Sequence, residues 1–347
     1  MELGIYTFGD HNPNPITGEA VTPKEKLRQT VELAKLADEL GLDVFAVGEH
    51  HRPDMAISSP AVVLAAAAQA TERIRLSSAT TVLNTLDPVR VYEDFATLDL
   101  LSGGRAEIIA GRGSFTENFD LFGYDMADYD ALFSEHLDLL IELNRSDRVT
   151  WKGRFRPALA GAEVAPRAEG RIPIWLGVGG TPASFERAGR LGLPLNIAIL
   201  GGPGHFAALA NLYRAAATKA GHPENAVRVA VSSHGHLGDD GDQARQEHWE
   251  LYSRNMRKGL RNRFAGREIP RSYYNLEVGP HGGIFAGNAK ETVAKIQWER
   301  DLLGIDRLLL QFDFGGVPFK QVKRSVEILG TEVLPEIRKA FPAMRRQ

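Results

Sequence analysis

Eight times along the chain, a short apolar run of strand length gives way to a segment of helical period. This alternation constrains the fold more than any other feature. The runs are Leu3 to Phe8, Val44 to Val47, Ile74 to Leu83, Arg105 to Ala110, Pro173 to Val178, Leu195 to Leu200, Val227 to Ser232 and Arg307 to Phe312. Helix starts follow at proline: Thr22 as N-cap with Pro23 and a capping-box Glu25, then Ser59-Pro60 and Asp87-Pro88. Glycines stop the helices, at Gly41 and at Gly103-Gly104. Eight β-α units joined by right-handed crossovers predict a TIM (β/α)8 barrel, an α/β fold, better than an open sheet. The reading is one domain over residues 1–347, with insertions after strands 4 (Ser114 to Ile172) and 7 (Lys258 to Gly287). The first insertion predicts a helix from roughly Tyr129 to Leu143 and a hairpin from Val149 to Phe155, turning at Lys152-Gly153.

There are no cysteines, which excludes disulfides, thiolate nucleophiles and cysteine-based metal clusters. A formal net charge of −3 offers no general attraction for nucleic acid or anionic membrane. The N-terminus has no basic segment followed by an apolar core, and no apolar run reaches membrane-spanning length. The expectation is a cytoplasmic protein.

Parallel barrels place their chemistry at the carboxyl ends of the strands. The second strand ends in Gly48-Glu49-His50-His51. Adjacent residues on a strand face opposite ways, so one histidine should face the pocket and the other a neighbouring loop. The group reads as a general base with an orienting carboxylate, or as two satisfied loop histidines. No His-x-His or His-x-x-x-His partner lies nearby, so no metal site is expected. The fifth strand runs into Gly177-Val-Gly179-Gly180-Thr181-Pro182-Ala-Ser184. Small residues before a helix start suit a phosphate, and a tight turn with an ordinary cap is the competing reading. Arg112, between two glycines after strand 4, suits an anion or a salt bridge at the barrel top. Arg90, Asp94 and Asp99 lie in a helix and read as packing residues.

Taken together these residues resemble the bacterial-luciferase-like flavin monooxygenases. The resemblance rests on Glu49-His50-His51; Asp87-Pro-Val-Arg90 through Glu93-Asp-Phe-Ala-Thr-Leu-Asp-Leu-Leu-Ser-Gly-Gly-Arg105; Gly111-Arg-Gly113; Phe122-Gly123; and Gly192-Leu-Pro194 with Tyr213 and Ala217 downstream. It implies a barrel that binds reduced FMN as a co-substrate and uses O2, through a flavin peroxide, to oxygenate a small organic molecule. It implies His50 as the catalytic histidine, held by Glu49, and Arg112 with Gly179, Gly180 and Ser184 at the FMN phosphate. It places Ala79-Thr80 where luciferase has a non-proline cis peptide under the flavin. A flavin reductase that delivers reduced FMN, and a homodimer packed through barrel helices, are further implications. The chain departs from luciferase at Gly111, where luciferase has cysteine, and at Ile199 and Phe206, which tells against light emission and a long-chain aldehyde. The same fold family includes deazaflavin-dependent hydride-transfer dehydrogenases and non-catalytic flavin-binding subunits, so both remain rivals. A metal-dependent hydrolase is a third, disfavoured by ligand spacing.

Arg257, Lys258, Arg261, Arg263, Arg267 and Arg271 make the second insertion basic. With Tyr273-Tyr274 as flat covers and Gly279, Pro280, Gly282 and Gly283 as bend points, it reads as a lid.

Overall fold

A computed structural model describes residues 1–113, 115, 117–199, 201–259 and 268–342. Its centre is a closed parallel barrel of eight strands: β1 (Glu2–Thr7), β2 (Val44–Val47), β3 (Arg75–Ser78), β4 (Ala106–Gly111), β5 (Ile174–Val178), β6 (Leu195–Ala198), β7 (Val229–Leu237) and β8 (Arg307–Gln311). Neighbours in sequence are neighbours in the sheet, and β8 pairs with β1 to close it. This is a TIM barrel. The helices packed around it are α1 (Pro23–Glu39), α2 (Pro60–Gln69), α3 (Pro88–Ser102), α4 (Glu117–Phe122), α5 (Tyr129–Arg145), α6 (Pro182–Leu191), α7 (Phe206–Lys219), α8 (Gly241–Gly259), α9 (Arg271–Val278), α10 (Ala289–Leu303), α11 (Phe319–Ile328) and α12 (Leu334–Ala340). No helix among the described residues is long and apolar enough to cross a membrane.

Alternation along each strand divides the core in two. Leu3, Ile5, Phe45, Val47, Val229, Val231, Leu308 and Leu310 point outward to the helices. Tyr6, Val44, Ala46, Ile109, Trp175, Ala230 and Leu309 fill the barrel. The amino-terminal end of the barrel is closed by an ion network. Arg307, fully buried, donates to Glu107 at 2.7 and 3.2 Å and to Glu2 at 2.8 Å, with its guanidinium 4.3 Å from the Trp175 ring centre.

Both insertions lie where the sequence places them, with different contents. Thr22 caps α1 by accepting the Glu25 N–H at 3.2 Å. The hairpin pairs Arg148–Trp151 with Leu159–Glu163, so its turn is wider than Lys152-Gly153. Glu135 holds that turn by accepting the N–H groups of Arg154, Phe155 and Arg156. Strand β7 runs past Ser232 to Leu237, and its last three residues pair with a short strand, Phe285–Gly287. A π-helical stretch at Leu329–Val333 separates α11 from α12 at the end of the chain.

Candidate active site

Gly48 ends β2 in tight quarters: a Cβ there would lie 2.3 Å from the Phe8 ring and 2.5 Å from the Ala79 carbonyl. Glu49 follows and is buried. Its Oε2 accepts the Val82 N–H at 2.9 Å, and its Oε1 pairs with Nε2 of His51 at 2.8 Å. Glu49 therefore does not orient His50, contrary to the expectation. The reason is the alternation itself: residues two apart on extended backbone share a side, and His50 points the other way. The His50 ring stands edge-on between Phe8, at 4.5 Å, and Phe115, at 5.1 Å. Burial, helped by Arg52, pushes its pKa down to about 4, so at neutral pH it is an uncharged imidazole. His51 rests edge-on against Phe122.

The Ala79-Thr80 peptide is cis. Thr80 lies over β4 and β5 in space that only glycine leaves: a Cβ on Gly111 would be 2.6 Å from its Oγ1, and one on Gly177 2.8 Å from its Cγ2. Thr80 thus fills the space beside Gly111 and Gly177.

Arg112 and Ser184 come together at the carboxyl ends of β4 and β5. One guanidinium nitrogen donates to Ser184 Oγ at 3.1 Å and the other to Asp130 at 2.5 Å. The Tyr129 ring lies beneath the guanidinium at 5.3 Å, and its hydroxyl donates to the Gly113 carbonyl. Gly179 and Gly180 form the turn into α6, and Gly180 has a φ of +117°. Thr181 makes no side-chain cap to α6; Pro182 opens the helix without an N–H, and the Ser184 N–H donates to the Thr181 carbonyl at 2.9 Å. Arg187 lies one turn beyond Ser184. Burial and the neighbouring Arg112 both lower its pKa, which marks two cations converging on one place. The sequence reading missed Arg187 and Asp130, which carry no motif.

It also missed the wall formed by β7 and β8. His234 stacks on Phe314 at 4.8 Å and meets Tyr252 edge-on at 5.9 Å. Asp313, beside them, is held by Lys26 at 2.8 Å and Thr7 at 2.5 Å.

The lid reading needs correction. Arg261, Arg263 and Arg267 lie outside the described residues, as do the side chains of Arg257 and Lys258. Tyr274 is no cover for a ring: it is buried, donates its hydroxyl to the Arg245 carbonyl and accepts from His248, both at 2.9 Å. Tyr273 packs against the same satellite core. A cleft of about 810 Å³ lies between α9 and α10, away from the barrel's carboxyl-end residues. Its Lys295 is spent on three backbone carbonyls and its Arg245 on Asp242 and Glu291, so it offers less chemistry than the barrel mouth. Among the described residues no group of three or more His, Asp or Glu is placed to hold a metal ion.

The model of the luciferase-like monooxygenase family matches residues 1–291. A relative, the 4-hydroxyprotoasukamycin monooxygenase of Streptomyces nodosus subsp. asukaensis, is 31% identical over 66% of this chain and 67% of its own length. Among solved structures, the monooxygenase RslO1 of Streptomyces bottropensis superposes with a TM-score of 0.84 at 26% identity, covering 97% of this chain and 99% of its own. Two others share the fold and differ in cofactor. The oxygenating constituent of 3,6-diketocamphane monooxygenase from Pseudomonas putida, in complex with FMN, has a TM-score of 0.79 at 18% identity, covering 97% and 98%. An F420-dependent secondary alcohol dehydrogenase has a TM-score of 0.74 at 19% identity, covering 97% and 99%.

Proposed function

The chain belongs to the luciferase-like monooxygenase family, and we propose that within it this protein uses reduced FMN and O2 to oxygenate a small organic substrate. Arg112 and Ser184 meeting at an uncapped helix start carry this reading. They fit a phosphate group: guanidinium and hydroxyl converge at the positive end of α6, and Gly179 leaves open space for a ligand to approach. Asp130 would give up its hold on Arg112 as the phosphate arrives. The floor of Ala79, Thr80, Gly111 and Gly177 fits the face of a flat ring.

Reduced FMN, when bound, supplies the electrons that activate O2, so that one oxygen atom enters the substrate and the other leaves as water. The protein's own part is positional and protic. Arg112, Ser184 and the start of α6 anchor the phosphate, with Gly179 and Gly180 as the turn. His50, uncharged at neutral pH, accepts or relays a proton at a ring nitrogen. Phe8 and Phe115 hold the ring edge-on between them and fix its orientation. Glu49 acts at one remove, by fixing His51 and the backbone at Val82.

Exposed apolar residues on two outer helices, Val62 on α2 and Leu100 and Leu101 on α3, support a homodimer packed through those helices. A flavin reductase or free reduced FMN would supply the electrons.

The test is turnover with reduced FMN under ¹⁸O2 and a panel of hydroxylated aromatic compounds. The proposal expects a product carrying one ¹⁸O atom. Anaerobic, substrate-dependent reduction of F420 without FMN activity would replace it with the hydride-transfer reading.

A further inference from the structure

We propose that His234, Phe314 and Tyr252 form the substrate-recognition wall of the barrel mouth, that this wall takes an uncharged, hydroxylated aromatic ring, and that His234 hydrogen-bonds the ring hydroxyl. The inference rests on the oxygenase reading for its meaning and on separate residues for its evidence.

Alternation along β7 decides which way His234 points. Val229 and Val231 face the helices and Ala230 faces the barrel interior. Ser232 and His234 fall on the same inward side. Ser232 uses its hydroxyl on Asn196 at 3.0 Å. His234 stands one step nearer the mouth, in register with Gln311 on β8. The residue is 6% exposed; its ring nitrogens make no hydrogen bond to the described residues and are not among the fully buried polar atoms, so they reach the open mouth. A polar edge that faces the mouth without a protein partner is open to a hydrogen bond from a ligand or water. A neutral imidazole carries one donor and one acceptor, and a hydroxyl can serve either.

The neighbours define the rest of the ligand. Phe314 stacks on His234 with 16° between the rings, so an aromatic ring covers one face of the imidazole. On the adjoining side Tyr6, Phe8 and His50 follow edge to face, at 5.4 and 4.5 Å. Aromatic walls favour offset or edge-on contact with another aromatic ring over an alkyl chain. The charge nearest His234 is Asp313, already matched by Lys26, so the wall offers no net charge to an ionic substrate. The converging cations, Arg112 and Arg187, belong to the phosphate corner on β4 and α6.

The experiment compares 1-naphthol with naphthalene, which differ by one hydroxyl, and adds decanal as the aliphatic alternative. Binding to the full-length protein without flavin is followed by protein fluorescence. The proposal expects 1-naphthol to bind at least about tenfold more tightly than naphthalene, the size of one neutral hydrogen bond. H234F should abolish that preference and leave naphthalene binding unchanged, and H234Q should restore part of it. A ¹⁵N-histidine spectrum of the wild type gives a reading that needs no variant: one ring-nitrogen signal, absent from H234Q, should move with 1-naphthol and not with naphthalene. Equal binding of the two ring compounds, tighter binding of decanal, or a preference that survives H234F would overturn the inference. Separate FMN titration of the same samples shows whether the flavin reading fails, because H234F leaves the phosphate corner intact.

Discussion

The Glu49 carboxylate binds the His51 ring at 2.8 Å and passes over His50, the residue between them. Its other oxygen holds the Val82 N–H, two residues beyond the cis peptide. Glu49 is thus a structural clamp between the ends of β2 and β3, and His50 is free to act without a carboxylate partner.

The first prediction separates these roles. H50A should lower turnover by about two to four orders of magnitude, the range of general acid–base catalysis, with FMN affinity near wild type. E49Q should keep the pH dependence of turnover while lowering thermal stability. A shifted pH profile in E49Q with unchanged stability would show that Glu49 does act on His50.

The second concerns the phosphate corner. R112A removes a charge-assisted hydrogen bond, worth about 1.5–3 kcal/mol. FMN should bind at least tenfold more weakly and riboflavin nearly as before. R187A should act in the same direction with a smaller effect, because Ser184 is hydrogen-bonded by Arg112 and, among the described residues, not by Arg187. Equal losses for both ligands in calorimetric titration would remove Arg112 from the phosphate.

Much of this arrangement is legible in the sequence, and what is not has physical reasons. Val44–Val47 is an unbroken apolar run, and the strand has those limits. The ends of β4 and β5 were readable from their glycines. The family resemblance brings Arg112 and Ser184, 72 residues apart, to one phosphate; periodicity and glycine spacing alone do not, because their meeting needs the closed barrel. The apolar run of β7 stops at Ser232 because Ser233-His-Gly-His236 is polar. Those residues stay extended because the strand continues to Leu237 beside Phe285–Gly287, and His234 was lost with them. Tyr274 looked like a lid residue by composition alone, and its burial depends on α8, α9 and the Phe285–Gly287 strand packing together.

A third prediction lies at the other end of the barrel. E107A would strand the buried Arg307 beside Trp175. Breaking one partner of a buried pair costs about 3–5 kcal/mol. Urea unfolding should report a loss of that size, and FMN affinity of the folded fraction should stay unchanged. Full stability in E107A would mean that Glu2 alone suffices to hold Arg307.

The fourth is a pH dependence. Glu299 on α10 is buried, and neither carboxylate oxygen has a hydrogen-bond partner among the described residues. Burial raises its pKa to about 8, against the opposing pull of Lys295. A carboxyl that is harder to ionise in the fold than in the unfolded chain stabilises the protein fully below the unfolded value near 4.5. That stability is lost as pH rises from there through about 8. Thermal unfolding from pH 5 to 9 should show wild type losing stability relative to E299Q across this interval. Parallel curves would show that Glu299 is ionised or neutral throughout.

The central claim, that the barrel mouth is a site for FMN, is tested most directly by titrating the wild-type protein with FMN, riboflavin and F420 side by side, following flavin absorbance under anaerobic reduction. The account predicts that reduced FMN binds at one site per chain, more tightly than riboflavin, and that F420 binds weakly or not at all. Tight binding of F420 with none of FMN, or no binding of any of the three, would contradict it.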